Sequence, residues 1–117
     1  MLRSNPHLME INTRLWLKQL RVKYSLPEMK LSSVPDEEWL ELRHLGFDII
    51  WLVGVWEPSP ESERIGREDK HLLEEIKNLP PGFGPGAVGP SPYSVHWYRL
   101  NPELGFEWEL KALKEKL

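Results

Sequence analysis

The chain has 117 residues, a length that favours one domain over two. With 40% apolar and 28% charged residues it is not a disordered chain, and a net charge of −3 without any basic run argues against nucleic-acid binding. It has no cysteine, which excludes disulfides and thiolate metal sites. No signal-like apolar core and no apolar run of about 18 residues is present, so we expect a soluble, cytoplasmic protein without membrane association.

The first predicted element is a short strand at Leu8–Asn12, a mostly apolar run that follows an Asn-Pro pair. The next stretch, Thr13–Tyr24, carries six large apolar residues, and its pattern fits either a continued extended segment or a helix. A short helix is the prediction for this stretch.

A clearer helix is predicted from Pro35 to Gly46. Proline suits the first helical position, and the three acidic residues that follow favour the positive end of the helix dipole. Trp39, Leu42 and Leu45 recur at every third position on one face, and Gly46 stands where a left-handed terminator is expected.

The run from Ile49 to Trp56 is continuously apolar rather than alternating. Such a run is typical of a strand covered on both faces, as in a parallel sheet beneath helices. Together with the first strand and the helix it predicts a βαβ unit with a right-handed crossover.

The residues after this strand are predicted to form a long connection, from about 57 to 105. Glu57–Gly66 is expected to be a loop and Arg67–Leu79 a helix with its leucines and Ile76 facing inward, while Pro80–Gly86 interrupts regular structure. Phe106–Leu117 is predicted to be an amphipathic helix that closes the chain. A connection of that length leaving the carboxyl end of a parallel strand is usually functional.

Large rings are concentrated in this connection, in the segment Ser91–Gly105, which has three aromatic residues and two prolines. Its prolines make it too broken for a core helix or a central strand. The six tryptophans of the chain have two explanations: they fill the core, or some of them line a binding surface for sugars, bases or proline-rich peptides.

Five stretches together resemble the beginning of an alpha-amylase-type glycoside hydrolase. Met9–Arg14 resembles the "YEINTR" opening of the first barrel strand, and Leu45–Leu52 resembles the "LGxxxIWL" lead into the second. Trp56–Pro58 stands at the family's strand end, Ser91–Gly105 resembles its "GSPYS…Y…DP.LG" segment, and Phe106–Leu117 matches its second barrel helix. Their order and spacing carry the resemblance.

The resemblance implies an α/β fold, a partial β/α (TIM-type) barrel with about two parallel strands, and a role as the amino-terminal part of a glycosidase acting on α-glucans. It implies that Tyr93 lies against the sugar ring at the cleavage point, although the family often has Gly-Tyr where this chain has Pro92 before the tyrosine. Among the four histidines His96 is the best functional candidate, as a hydrogen-bond donor to a sugar hydroxyl, and Trp56 is a further candidate substrate-binding residue. Tyr98 and Trp97 would instead pack the segment onto the barrel, and for each of the three rings the structural alternative is a buried ring with a satisfied polar tip.

The family's catalytic carboxyl groups belong to strands four and five, and this chain stops before strand three. A complete barrel needs about 250 residues and eight strands. We therefore expect no catalytic residue, no activity of the chain alone, and either self-association or a need for a carboxyl-terminal complement.

The remaining polar residues have ordinary explanations. The acids near the predicted ligand face are expected to be solvated; they are Glu57, Glu61, Glu63, Glu68 and Asp69. The four histidines have no pair at helical metal-binding spacing, so neither a metal nor a cofactor is expected. Two alternatives stay open: a small non-catalytic carbohydrate-binding or interaction module that uses Tyr93, Trp97 and Trp56, and an unrelated α/β domain.

Overall fold

The computed structural model describes residues 1–80 and 88–117. This part of the chain is a mixed α/β structure with two two-stranded sheets and five α-helices. The strands are β1 (Leu8–Asn12), β2 (Ile49–Val53), β3 (Trp56–Pro58) and β4 (Val95–Leu100), and the helices are α1 (Thr13–Lys23), α2 (Asp36–His44), α3 (Pro60–Glu68), α4 (Lys70–Ile76) and α5 (Glu107–Lys116). In these residues no helix is both long and apolar enough to cross a membrane.

The predicted strand–helix–strand unit is confirmed. Strands β1 and β2 pair in parallel, with Leu8 opposite Ile49 and Asn12 opposite Val53. The stretch after β1 is the helix α1, whose first turn is capped by the Asn12 side chain accepting a hydrogen bond from the Leu15 amide at 3.3 Å. Helices α1 and α2 thus form the connection between the two parallel strands.

The predicted helix α2 is confirmed within the range Pro35–Gly46, although Pro35 is its N-cap rather than its first helical residue and the helix ends at His44. The helix begins directly after Pro35, and all three residues of its first turn are acidic, as the helix dipole favours. Gly46 follows the helix with a φ of +97°, the left-handed conformation expected of a terminator.

The apolar core lies on one side of the β1–β2 sheet, beneath α1, α2 and α5. Trp16 and Trp39 meet edge to face in this region, with ring centroids 4.9 Å apart. Ile50 and Leu52 of β2 pack against the core from the sheet side. The buried residues of this cluster are Leu17, Leu20, Met29, Leu31, Val34, Trp39, Val55, Leu100, Leu104 and Leu113.

The prediction that β2 is covered on both faces is wrong for part of the strand in the described chain, because Val53 is buried whereas Trp51, on the same face, is half exposed. Side chains alternate across a strand, and the set that faces the helices contains Ile50 and Leu52. The opposite face carries Leu8 and Trp51, which are 49% and 50% exposed, beside the exposed Glu10. We call this surface, formed by Leu8, Glu10, Ile49 and Trp51, the open face of the sheet.

The predicted loop at Glu57–Gly66 is also wrong, because β3 and α3 occupy it. Ser59 caps α3 by accepting a hydrogen bond from the Ser62 amide at 3.3 Å, and Pro60 is the first helical residue. Arg64 then pairs with acids at both i−3 and i+4. The described parts of the long connection, residues 57–80 and 88–105, therefore contain more regular structure than the sequence predicts.

The helix predicted at Arg67–Leu79 is shorter than expected, and its apolar side chains do not become buried. Asp69 has an extended backbone, with ψ at 111°, and separates α3 from α4. Its side chain caps α4 by accepting from the Leu72 amide at 3.0 Å. The predicted interruption at Pro80–Gly86 lies, apart from Pro80, outside the described residues.

The closing helix α5 is confirmed, and a buried carboxylate attaches it to the core. Glu109 accepts a hydrogen bond from the Phe106 amide at 2.6 Å and another from the Ser32 hydroxyl. Of the predicted apolar stripe Leu113 is buried, whereas Phe106 and Leu117 are 57% and 64% exposed. The Glu109 carboxylate thus accepts a hydrogen bond from a free backbone amide at the start of α5. It also joins the helix to the turn Leu31–Ser33.

Candidate functional site

The ring-rich segment reaches the carboxyl ends of β1 and β2 through a close contact at Gly54. Gly54 directly follows β2 with a φ of +78°, a conformation that favours glycine. A Cβ atom placed on it would lie 3.0 Å from the Pro92 Cβ. The missing side chain therefore allows Pro92 to lie against the strand end.

Hydrogen bonds on both sides hold the segment there. The Ser59 amide donates to the Ser94 carbonyl at 2.9 Å, and the Ser91 amide donates to the Ser62 hydroxyl at 3.1 Å. A turn within the segment is closed by the Ser94 amide and the Ser91 carbonyl at 3.1 Å. The start of α3, which the sequence reading missed, is thus one of the supports of the segment.

Tyr93 extends from this turn towards the first strand. Its hydroxyl donates a hydrogen bond to Glu10 Oε1 at 2.9 Å, and this contact with a carboxylate raises the pKa of Tyr93. Glu10 belongs to the open face of the sheet, so the tyrosine hydroxyl reaches that face. The ring remains 68% exposed, which leaves its surface accessible to a ligand.

The rest of the segment contains β4, which pairs antiparallel with β3 in a two-stranded sheet and is therefore not a central strand, in line with the prediction for this segment. Its pairing is irregular, with shifts in register on either side of Glu57, and within residues 1–80 and 88–117 the sheet has two strands. Prolines are tolerated because they lie at the end of β3 and before β4, where no central ladder is interrupted.

The β3–β4 pair exposes its aromatic rings instead of burying them. Trp97 and Tyr98 are 61% and 79% exposed, so the interpretation of these residues as buried packing rings is wrong. Trp56, which is 39% exposed, meets Tyr98 edge to face with centroids 6.0 Å apart. The segment therefore presents an aromatic surface.

A cavity of about 40 Å³ lies between the strand ends and this segment. Trp56 contributes to its wall, while Tyr93 and His96 do not. His96 is exposed on β4, and of the three predicted site residues only Trp56 lines the cavity. The lining residues are Asn12, Arg14, Gly54, Trp56, Pro58, Pro90, Ser91, Pro92, Ser94, Val95 and Asn101.

The acids near the site pair with basic residues. Glu57 accepts from the Arg99 guanidinium at 2.5 Å, and this bond holds the pKa of Glu57 below its ordinary value. Glu61 and Glu68 both pair with Arg64, and all three are more than half exposed. Within residues 1–80 and 88–117 no group of three or more histidines and acids is arranged to hold a metal ion.

The sequence reading missed Asn12, Arg14 and Asn101 in the cavity wall, and Glu10 as the partner of Tyr93. Only Arg14 had a signal of its own, since a cation in the first turn of a helix opposes the helix dipole. The other residues come together through the parallel pairing of β1 with β2 and the antiparallel pairing of β3 with β4. Neighbouring residues in the sequence do not reveal either pairing.

No protein-family model, no curated protein and no solved structure matches this chain.

Proposed function

We propose that this chain is the amino-terminal portion of an α-amylase-like glycosidase acting on α-glucans. In this proposal β1 and β2 are the first two strands of a TIM-type barrel, and the ring-rich segment lines the saccharide cleft. The catalytic carboxyl groups belong to a carboxyl-terminal complement, so the chain alone is inactive. The open face of the sheet is the observation that carries the proposal.

That face has the properties of a barrel interior that has not been completed. In a β/α barrel the helices cover the outside of parallel strands, and the other face of every strand fills the interior. Here the Ile50 and Leu52 side packs under helices, while Leu8 and Trp51 remain half exposed. Burying a large apolar side chain contributes about 1.5–3 kcal/mol, which favours a complement that covers this face.

The position of Tyr93 supports a role in saccharide binding. Ligands of β/α proteins lie at the carboxyl ends of parallel strands, and Pro92 contacts the residue that follows β2. The bond to Glu10 fixes the tyrosine hydroxyl and leaves the ring face free. An aromatic face held in this way suits the apolar face of a sugar ring.

The coding sequence immediately downstream provides the test. It is expected to encode a strand followed by Asp-x-x-x-Asn-His, and the chain joined to that segment and the rest of the barrel should release reducing sugar from maltooligosaccharides. Tyr93→Ala in the joined protein should lower kcat/KM about tenfold, the scale of one lost ring contact. Tyr98→Ala, which removes another exposed ring, is the matched control. A joined protein without glucan hydrolysis or transfer would contradict the proposal.

The exposed aromatic rings of β3, β4 and the turn before β4 favour a second candidate, a non-catalytic carbohydrate-binding module that uses Tyr93, Trp97 and Trp56. Isothermal titration of the chain alone with maltoheptaose separates the two candidates. Binding that is lost in Trp97→Ala but kept in Trp108→Ala would favour the module. Trp108 is the control because it is a 70% exposed tryptophan on α5 and not on β3 or β4. Absence of binding by the chain alone favours the barrel portion.

A further inference from the structure

We infer that Arg14 and the cavity it lines form a binding site for a small oxyanion, either a phosphate or a carboxylate group. The site lies at the carboxyl end of β1, beside the start of α1. It goes beyond the proposed function and does not depend on it, because only the charge, polarity and size of the cavity carry the inference.

The charge of the cavity wall is entirely positive. Arg14 is its single charged residue, and no aspartate or glutamate is among the lining residues in the described part of the chain. Ser91, Ser94 and Asn101, whose side chains carry hydroxyl or amide groups, are also among the lining residues. Guanidinium, hydroxyl and amide groups are the donors that bind phosphate and carboxylate oxygens in proteins.

The guanidinium of Arg14 makes no ion pair or hydrogen bond within residues 1–80 and 88–117, unlike those of most other arginines. Arg3 pairs with Asp48 at 2.6 Å, and Arg99 pairs with Glu57 at 2.5 Å. Arg14 is also the second residue of α1, where a cation opposes the helix dipole. Its position is therefore unfavourable for the helix itself, which is the pattern expected of a residue kept for binding.

Gly89 leaves room for the guanidinium at the cavity. A Cβ atom on Gly89 would overlap the terminal atoms of the Arg14 side chain. The backbone of residue 89 thus lies directly against the guanidinium, and a side chain at this position would displace the flexible end of Arg14. This contact gives the site a residue that can be changed without altering a charge.

The size of the cavity selects the ligand. Its volume is about 40 Å³, while one water requires roughly 10–15 Å³ on the same measure. The cavity accommodates a few heavy atoms, as in an oxyanion, and is too small for a sugar ring. If the proposed function holds, a saccharide bearing a phosphate or carboxylate substituent would place that group here; this extension rests on the proposed function, whereas the oxyanion site does not.

Titration of the whole chain with inorganic phosphate, and separately with acetate, tests the site. Chemical shifts of the Ser91–Ser94 amides should move on saturation, and the stronger of the two ligands identifies the oxyanion class. Arg14→Gln should weaken binding about tenfold, since a charge-assisted hydrogen bond is lost. Arg43→Gln on α2, which is outside the cavity wall, should leave binding unchanged.

Gly89→Ala provides a second variant that keeps every charge. Its new methyl group should displace the guanidinium and weaken binding to a similar extent, with the circular dichroism spectrum unchanged. Binding of neither anion, or equal binding by the native chain and Arg14→Gln, would overturn the inference. Either result leaves the proposed function untouched, because glucan binding is measured separately with maltoheptaose.

Discussion

Glu38 is a carboxylate buried between α1 and α2, with a side chain only 9% exposed. Its Oε1 atom accepts hydrogen bonds from Lys23 Nζ at 2.5 Å and from the Tyr24 hydroxyl at 2.6 Å. Burial acts to raise the pKa of Glu38, but the two hydrogen bonds together outweigh it, and the pKa lies below its ordinary value. The charged form of Glu38 is therefore stabilised in the folded chain.

Glu38→Gln should lower the free energy of unfolding by about 1–3 kcal/mol, because a buried charge-assisted contact is lost. Urea denaturation at neutral pH measures the change. Glu37→Gln, at the exposed neighbouring position of the same helical turn, should stay within about 0.5 kcal/mol of the native chain. Equal effects of the two substitutions would contradict the role assigned to Glu38.

The same carboxylate predicts a dependence of stability on pH. Because the folded-state pKa of Glu38 is below its unfolded value, near 4.5, its contribution is fully present above that value and is lost as the pH falls through the folded pKa. The difference in unfolding free energy between the native chain and Glu38→Gln should therefore narrow between pH 7 and pH 3. A difference that widens on acidification would mean that the pKa of Glu38 is raised, not lowered, in the folded chain.

Gly46→Ala should destabilise the chain by about 1 kcal/mol. The glycine has a φ of +97°, and a Cβ atom there would have no neighbour within 4 Å, so the cost is confined to the backbone. Thermal and urea unfolding of the variant measure it. A neutral substitution would mean that the helix end relaxes to another conformation.

At the scale of elements, the structure agrees with the sequence wherever local signals and packing coincide. The strand Leu8–Asn12, the helix after Pro35 and the closing helix each have both a boundary signal and an apolar pattern. The helix α3 was missed because it has no buried residue, although Ser59-Pro60 is a recognisable start. Strand β4 was missed because its rings are exposed on both faces, so neither alternation nor a continuous buried run reveals it.

Gly54→Ala should be more harmful than Gly46→Ala, which makes the two glycines a matched pair. Both have positive φ, but only at Gly54 would the new Cβ meet another residue, Pro92, at 3.0 Å. We expect a cost of about 1–2 kcal/mol from the backbone with an additional cost from displacing Pro92. Hydrogen exchange at Ser91–Ser94 should accelerate in Gly54→Ala and stay unchanged in Gly46→Ala. Equal exchange rates in the two variants would show that Gly54 does not determine the position of Ser91–Ser94.

At the scale of the whole molecule, the parallel pair of strands was predictable from sequence and the site was predictable only in part. The sequence identified the ring-rich segment and three candidate residues, of which Trp56 lines the cavity and Tyr93 lies beside it, bonded to Glu10. Arg14 and Asn101 come together through contacts between residues more than eighty positions apart. Such contacts depend on the register of two sheets, which no local pattern encodes.

The open face is also a property of the whole molecule. The run Ile49–Val53 has the composition of a strand buried on both sides, yet on the side away from the helices the described chain buries Val53 and leaves Trp51 half exposed. Each strand of the β1–β2 pair also has an unpaired edge within this part of the chain. Exposed edges and exposed apolar faces promote association. The apolar side chains of β2 are therefore fully buried only when a further segment or molecule covers the open face.

Sedimentation velocity of the purified chain over a range of concentrations tests this central claim most directly. We predict concentration-dependent self-association that Trp51→Lys, on the open face, shifts strongly towards monomer. Trp108→Lys, which alters an exposed tryptophan on α5, should leave the distribution unchanged. A stable, monodisperse monomer at every concentration, or equal effects of the two substitutions, would contradict the account.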